Sequence, residues 1–292
     1  MDLFFQQLVN GLSLGSIYAL IALGYTMVYG TIKLINFAHG DVYMMGAFVG
    51  FYAINILHLN VFLALLIAMV FCAVLGVIIE RVAYKPLRGS TRIAALITAI
   101  GVSYLLENVM IYFFGAEVKA FPSPMENVNY NLLGVTINSK QILIFITTIS
   151  LMVLLQFIVK YTKMGKAMRA VAVDEDAAKL MGIDVDRVIS FTFALGSALA
   201  GIAGVLVGLY YNSISATMGV VPGLKAFIAA VLGGIGSIPG AMVGGYVIGV
   251  LETLVSYLGG SSFKDAVVYL LLIVILIVLP QGLFGKNVKE KV

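Results

Sequence analysis

The chain has 292 residues, 61% of them hydrophobic and 11% charged, with a mean hydropathy of +1.07 and a net charge of +4. A soluble domain of this length needs a skin of Lys, Glu, Asp and Arg that this sequence cannot supply. The only cysteine, Cys72, lies inside an apolar run, which excludes a disulfide framework and a thiolate metal cluster. The modest positive charge fits cytoplasmic loops beside membrane spans rather than nucleic acid.

Uncharged runs reach the roughly 20 residues that cross a bilayer core, so the expectation is an all-α polytopic membrane protein. A transmembrane barrel would show short alternating segments instead. The N-terminus carries no basic stretch, so the first run, 8–30, is expected to be a retained span rather than a signal peptide. Runs at 37–57 and 59–79 follow. The loop 80–92 holds Arg81, Lys85, Arg88 and Arg92 against Glu80 and is assigned to the cytoplasm. After 93–114, the segment 115–140 is electrically balanced and external. It contains a candidate hairpin around Leu133-Gly134-Val135, which is either a partner contact or a plain connector.

The run 141–159 returns to a charged cytoplasmic loop at 160–187, and 188–210 leaves it. The run 221–257 splits near Ser237-Ile238-Pro239-Gly240, and 266–283 precedes a tail with Lys286, Lys289 and Lys291 against Glu290, also read as cytoplasmic. The result is a single transmembrane domain, 1–292, of eight to nine segments with its N-terminus outside. Broken or half-spanning helices are allowed, but parity requires them in pairs.

Glycines four apart recur in the apolar runs: Gly11/Gly15, Gly46/Gly50, Gly204/Gly208, Gly240/Gly244 and Gly245/Gly249. They are read as sites where helix backbones approach closely. Glycine-rich regions at 11–50 and 196–249 also raise a weak internal duplication, of the kind transporters carry.

Polar residues inside such a chain are the functional candidates. Asn36, His39, Gly40 and Asp41 either mark a broken helix lining a translocation path or form a polar cap at the membrane surface. Glu107, Lys225 and Glu252 are read as interfacial, snorkelling or pairing with another subunit. His58 is expected to be solvated, and Tyr210-Tyr211-Asn212-Ser213 to mark the outer interface.

Of the 32 charged residues, 11 fall in the 28 residues 160–187. There Asp174-Glu175-Asp176 starts a short helix, Ala177 and Ala178 give it a flat face, and Gly182 closes it. Lys163, Lys166, Arg169, Lys179 and Arg187 supply a polar rim. Charge alone would suit a plain solvated loop; the helix start, alanine pair and closing glycine together are read as a docking knob for a soluble partner.

The string Asp176-Ala177-Ala178-x-x-x-Gly182 resembles the "EAA" coupling loop of ABC importer permeases, with Asp176 in place of the usual Glu. The family's downstream Ile-x-Leu-Pro is absent; ten residues beyond Gly182 the chain reads Thr192-Phe193-Ala194-Leu195. Gly11 to Gly24 leading into Ile35-Asn36-Phe37-Ala38-His39-Gly40-Asp41, and Lys225-Ala226-Phe227 with Val231 to Gly240, resemble the shorter (H-type) permease subunit of branched-chain amino acid importers. The likeness covers nearly the whole chain, and Asn-Phe-Ala-His-Gly is its most specific part.

The resemblance implies a permease in a bacterial-type inner membrane, working with a second permease subunit, two cytoplasmic ATPases and an extracytoplasmic substrate-binding protein. Arg169, Asp176, Ala177, Ala178 and Gly182 would couple it to the ATPases. No phosphate-binding Gly-x-x-x-x-Gly-Lys-Ser/Thr string occurs, so the chain is expected to be no enzyme, to hold no cofactor or metal, and to leave ATP to its partners. The rival is an ion- or proton-coupled transporter using Glu107, Asp41 or Glu252.

Overall fold

The structure, a computed structural model, describes residues 2–132 and 134–285. Eleven α-helices occur among them: α1 (Asp2–Ile32), α2 (His39–Asn55), α3 (Val61–Ile79), α4 (Arg92–Phe114), α5 (Ser139–Tyr161), α6 (Lys163–Val173), α7 (Glu175–Leu180), α8 (Val185–Tyr211), α9 (Val220–Gly233), α10 (Ile238–Tyr257) and α11 (Lys264–Val278). Four short strands are β1 (Lys119–Ala120), β2 (Asn129–Leu132), β3 (Val135–Asn138) and β4 (Ser213–Ile214). The expected hairpin is the antiparallel pair β2–β3; Leu133, between them in the chain, lies outside the described residues. The basic tail from Lys286 also lies outside them.

Every predicted span is a helix. Seven are long and apolar enough to cross a membrane. The other two, α2 with 17 residues and α9 with 14, reach about 26 and 21 Å against a hydrocarbon core of about 30 Å. Each is preceded by non-helical chain, 33–38 before α2 and 212–219 before α9. Broken spans were expected in pairs, and the two short helices are one such pair, each an irregular lead-in followed by a short helix.

Loops expected on the same side gather at the same end of the bundle. At the end expected to be external Gln6 Nε2 donates to the Thr136 carbonyl at 2.9 Å, Lys140 Nζ to Asn212 Oδ1 at 2.5 Å, and β1 pairs with β4. At the end expected to be cytoplasmic Arg88 Nη1 meets Asp186 at 2.5 Å, and the Leu283 N–H donates to the Leu232 carbonyl at 2.8 Å. His58 is exposed in a turn.

The core is two helical triplets of opposite direction. α1 runs inward, α2 outward and α3 inward; α8, α9 and α10 run the other way. α1 packs along α10 and α3 along α8, the most extensive pairings in the molecule, while α4 flanks α2 as α11 flanks α9. The pairing reads the same in reverse chain order, α1 with α10 and α3 with α8, as an inverted repeat would. The spaced glycines carry the close crossings: a Cβ on Gly11 would lie 2.8 Å from Val250 Cα, and one on Gly15 2.8 Å from Tyr246 Cα. Lipid gives no hydrophobic force between helices, so backbone contact of this kind supplies the attraction.

Candidate functional site

The two short helices meet at their N-termini, where the pseudo-twofold relation of the triplets places them. A Cβ on Gly219 would lie 2.5 Å from the Gly40 carbonyl oxygen, and one on Gly40 would strike the Gly219 carbonyl in return. Only glycine permits this approach. Seven other helices begin with a side-chain cap, from Asn60, Thr91, Asn138, Thr162, Asp174, Asp184 and Ser237. α2 and α9 start on Ala38 and Gly219, which have no side-chain oxygen to offer. At α2 the His39 N–H donates instead to the Asn36 carbonyl, and the Gly40 amide meets the Tyr25 hydroxyl.

The predicted path residues divide by role. Asn36 is buried; its carbonyl accepts from the His39 N–H at 3.1 Å, and its Oδ1 accepts from the Tyr84 hydroxyl at 3.0 Å. It clamps the lead-in. His39 is buried edge-on to Tyr25, ring centroids 4.7 Å apart, beside Gly24, so it fills the break rather than opening to space. Gly40 makes the helix-to-helix contact. Asp41, 2% exposed, lines a cavity of about 280 Å³ with Ser103, Tyr104 and Glu107 of α4 and the first turn of α9. Asp41 Oδ1 and Glu107 Oε1 have no hydrogen-bond partner among the described residues. A surface cap would be hydrated; this carboxylate is held inside, which favours the broken-helix reading over the polar cap.

The interfacial reading of Lys225 and Glu252 is corrected. They are 2% and 3% exposed and pair within this chain: Lys225 Nζ lies 2.8 Å from Glu252 Oε1 and 2.6 Å from Asp265 Oδ1. Tyr18 Oη donates to Glu252 Oε2 at 2.8 Å, and Lys264 adds an ion pair at 3.3 Å. Neither snorkelling nor a second subunit is needed, because the charges neutralise each other in place. Glu107, 8% exposed, is turned into the cavity rather than toward an interface.

On the cytoplasmic side, α7 forms where the acidic start predicted a helix. Asp174 Oδ1 accepts from the Ala177 N–H at 2.9 Å, and Gly182 ends the turn at φ +81°, with open space around it. The alanine pair is not one exposed face. Ala178 is buried in the core cluster that includes Met168, Val171 and Val185, and it anchors the knob; Ala177 is exposed. The outward apolar surface is Val173, Leu180 (89% exposed) and Met181 (82% exposed), which the sequence reading missed. Helix spacing gives only part of this: 177 and 180 share a face, with 178 lying well round from 180.

The rim is also rearranged. Arg169 donates back to the Val159 and Lys160 carbonyls at the end of α5, bracing the loop as a C-terminal cap. Asp176 is exposed, and Lys179 pairs with Glu175 at 3.0 Å and with Asp176 at 3.5 Å. The hydrogen bond and charge of Glu175, then of Asp176, hold the Lys179 ammonium above its usual range.

Comparison with known proteins adds the following. Residues 7–276 match the family described as "Branched-chain amino acid transport system / permease component". The chain is 46% identical to the high-affinity branched-chain amino acid transport system permease protein LivH of Escherichia coli K12, over 99% of this chain and 98% of that protein. It is 44% identical to BraD of Pseudomonas aeruginosa, the permease protein of a system with the same description, at the same coverage. Among solved structures it resembles PsaBC from Streptococcus pneumoniae in complex with Fab, with a TM-score of 0.51 over 94% of this chain and 92% of that one. The identity there is 14%, a likeness of fold alone.

Proposed function

The chain belongs to the family of branched-chain amino acid transport system permease components, and from that premise we propose that it is a transmembrane permease subunit of an ATP-driven importer of branched-chain amino acids. The observation that carries this reading is its full-length relation, at 44–46% identity, to permease proteins of such systems. Those relatives are bacterial, and this chain is likewise an integral protein of the inner membrane.

The working parts follow from the geometry. Val173, Ala177, Leu180 and Met181 offer an apolar knob to a cytoplasmic ATPase, with Asp176 and Gly182 setting its shape. Ala178 and Arg169 tie that knob to α8 and α5, so a push on the loop reaches the spanning helices directly. The assembly comprises a second permease subunit, two ATPases that bind and hydrolyse ATP, and an external binding protein. Ligand and nucleotide need shift the inward and outward states by only a few kcal/mol. The passage runs by the Gly40–Gly219 junction, with Asn36, His39 and Gly40 holding the break and Asp41 facing the path.

The experiment is purification from mild detergent followed by uptake in vesicles. Two ATPase subunits and a second permease should co-purify, and leucine should accumulate only with ATP and binding protein present. Accumulation by this chain alone on a proton or sodium gradient would restore the secondary-transporter rival.

A further inference from the structure

The C-terminal half of α5, Arg169 on α6 and the start of α10 enclose a cleft of two joined parts, which share Gln156, Ile238 and Pro239 as a common wall. One part, of about 570 Å³, is bordered by Lys160, Arg169 and Ser237. The other, of about 380 Å³, is lined by Met152, Val153, Phe157 and Met242. Both volumes fall in the range of ligand sites. The basic part lies at the end of the bundle expected to be cytoplasmic, and the apolar part runs away from it along α5. The helical rise from Lys160 back to Met152 is about 12 Å, within the roughly 15 Å that one leaflet contributes to the hydrocarbon core.

The polar groups at the basic end are unmet. Lys160 is exposed, its ammonium 5.4 Å from the Tyr161 ring centroid. Neither it nor Arg169 is in ion-pair range of a carboxylate among the described residues. Arg169 donates through Nη1 alone, so Nε and Nη2 make no hydrogen bond among those residues. Ser237 Oγ accepts from the Gly240 N–H at 3.2 Å, and its hydroxyl proton has no acceptor there. The Gln156 amide, half-buried where the two parts meet, is also without a partner among the described residues.

Positive charge and free donors at the membrane surface, with an apolar slot leading down from them, suit an amphipathic anion. A soluble anion leaves the slot unfilled, and a lipid without net charge leaves the cations unpaired. Basic pockets between spanning helices at this level take anionic headgroups. The tail after Gly285 does not replace such a ligand, because Lys286, Lys289 and Lys291 against Glu290 add charge of the same sign.

We propose that this cleft binds one anionic phospholipid from the leaflet that faces the charged loop. Its phosphate lies between Lys160 and Arg169, an ester carbonyl accepts from Gln156, and one acyl chain follows Val153, Phe157 and Met242. Arg169 also braces α6 against the end of α5, so the lipid sits on the joint between the knob and the spanning helices. The assignment needs a membrane and no transported solute, and it stands apart from the importer reading.

The chain has no tryptophan, so Val153→Trp places a reporter about 10 Å below Lys160. Its emission is taken as the difference from the unsubstituted protein. The full chain, with the subunits that co-purify, is reconstituted in vesicles of equal parts phosphatidylcholine and phosphatidylglycerol, with bromine on the acyl chains of one or the other. Quenching is expected to show a preference for phosphatidylglycerol of about tenfold, equivalent to about 1.4 kcal/mol. Lys160→Glu, at an exposed position, should abolish the preference, and Val274→Trp, exposed on α11, should show none.

Equal quenching by the two lipids at Val153→Trp, or a preference that survives Lys160→Glu, overturns the proposal. So does a reporter quenched by neither, which would mean that another subunit fills the cleft. Inorganic phosphate, compared with chloride at equal ionic strength, should change nothing; loss of the preference would make the basic end a site for a soluble anion and not for a lipid. If Val153→Trp does not assemble, Phe157→Trp, a ring for a ring in the same wall, carries the same readout.

Discussion

Two buried charged centres lie within the same bundle, and they are built on opposite terms. At Lys225–Glu252 every charge has a partner: Asp265, Lys264 and the Tyr18 hydroxyl complete a closed network. At Asp41–Glu107 both carboxylates keep an unpartnered oxygen beside an open cavity and an uncapped helix. A closed network fixes α9, α10 and α11 together. An open one costs stability. Buried charge alone therefore does not single out a candidate site in this protein; unmet charge does, and it is the Asp41–Glu107 centre that the proposed function uses.

Changes at the two centres should separate stability from transport. The largest effect on stability is expected from Lys225→Met, which takes from Glu252 and Asp265 their nearest cation, leaving Glu252 only Lys264 and the Tyr18 hydroxyl, and should cost up to about 3–5 kcal/mol. Thermal unfolding in detergent would show it, and adding Glu252→Gln should recover part of the loss. Next comes the junction: Gly219→Val drives a side chain into the Gly40 carbonyl and should cost about 1–3 kcal/mol by overpacking. Asp41→Asn and Glu107→Gln should leave the melting temperature equal or slightly raised, because an uncompensated buried charge is removed.

The smallest change in stability, within about 0.5 kcal/mol, is expected for Leu180→Asp with Met181→Asp on the exposed knob. That pair should nevertheless abolish co-purification of the ATPases. Ala178→Arg should instead unfold the knob locally, since Ala178 is an anchor rather than a contact. If Ala178→Arg lost the ATPases with the melting temperature untouched, the division of roles on α7 would be wrong.

Much of this architecture is legible in the residues. The helices over the apolar runs, seven of them among the described residues long enough to cross a membrane, follow from composition, because a span must satisfy its own backbone. The breaks at Asn36–His39 and Ser237–Gly240 show as polar and Pro/Gly interruptions. The start of α7 shows as three successive acids. What stays hidden is pairing across sequence distance. Lys225, Glu252 and Asp265 sit on three helices, and no spacing rule links them. Glu107 reads as interfacial until α4 is seen to turn it toward Asp41.

The second half-helix, α9, was expected as the first part of the split run 221–257, but its uncapped start was not. Gly219-Val220-Val221-Pro222-Gly223 carries the signal in retrospect: a proline in the first helical turn with no capping residue before it. The knob was placed correctly, but its outward face was not, because a one-residue difference on a helix, Ala177 against Ala178, exchanges contact for core.

The most direct measurement compares Glu107→Gln with wild type in vesicles containing ATPases and binding protein. Leucine uptake is divided by the amount of intact complex, and the melting temperature is read on the same sample. Uptake per complex should fall about tenfold or more, the worth of one charged hydrogen bond, with no drop in melting temperature. Wild-type uptake from an equally stable complex would contradict the claim that the unmet carboxylates at the junction serve transport.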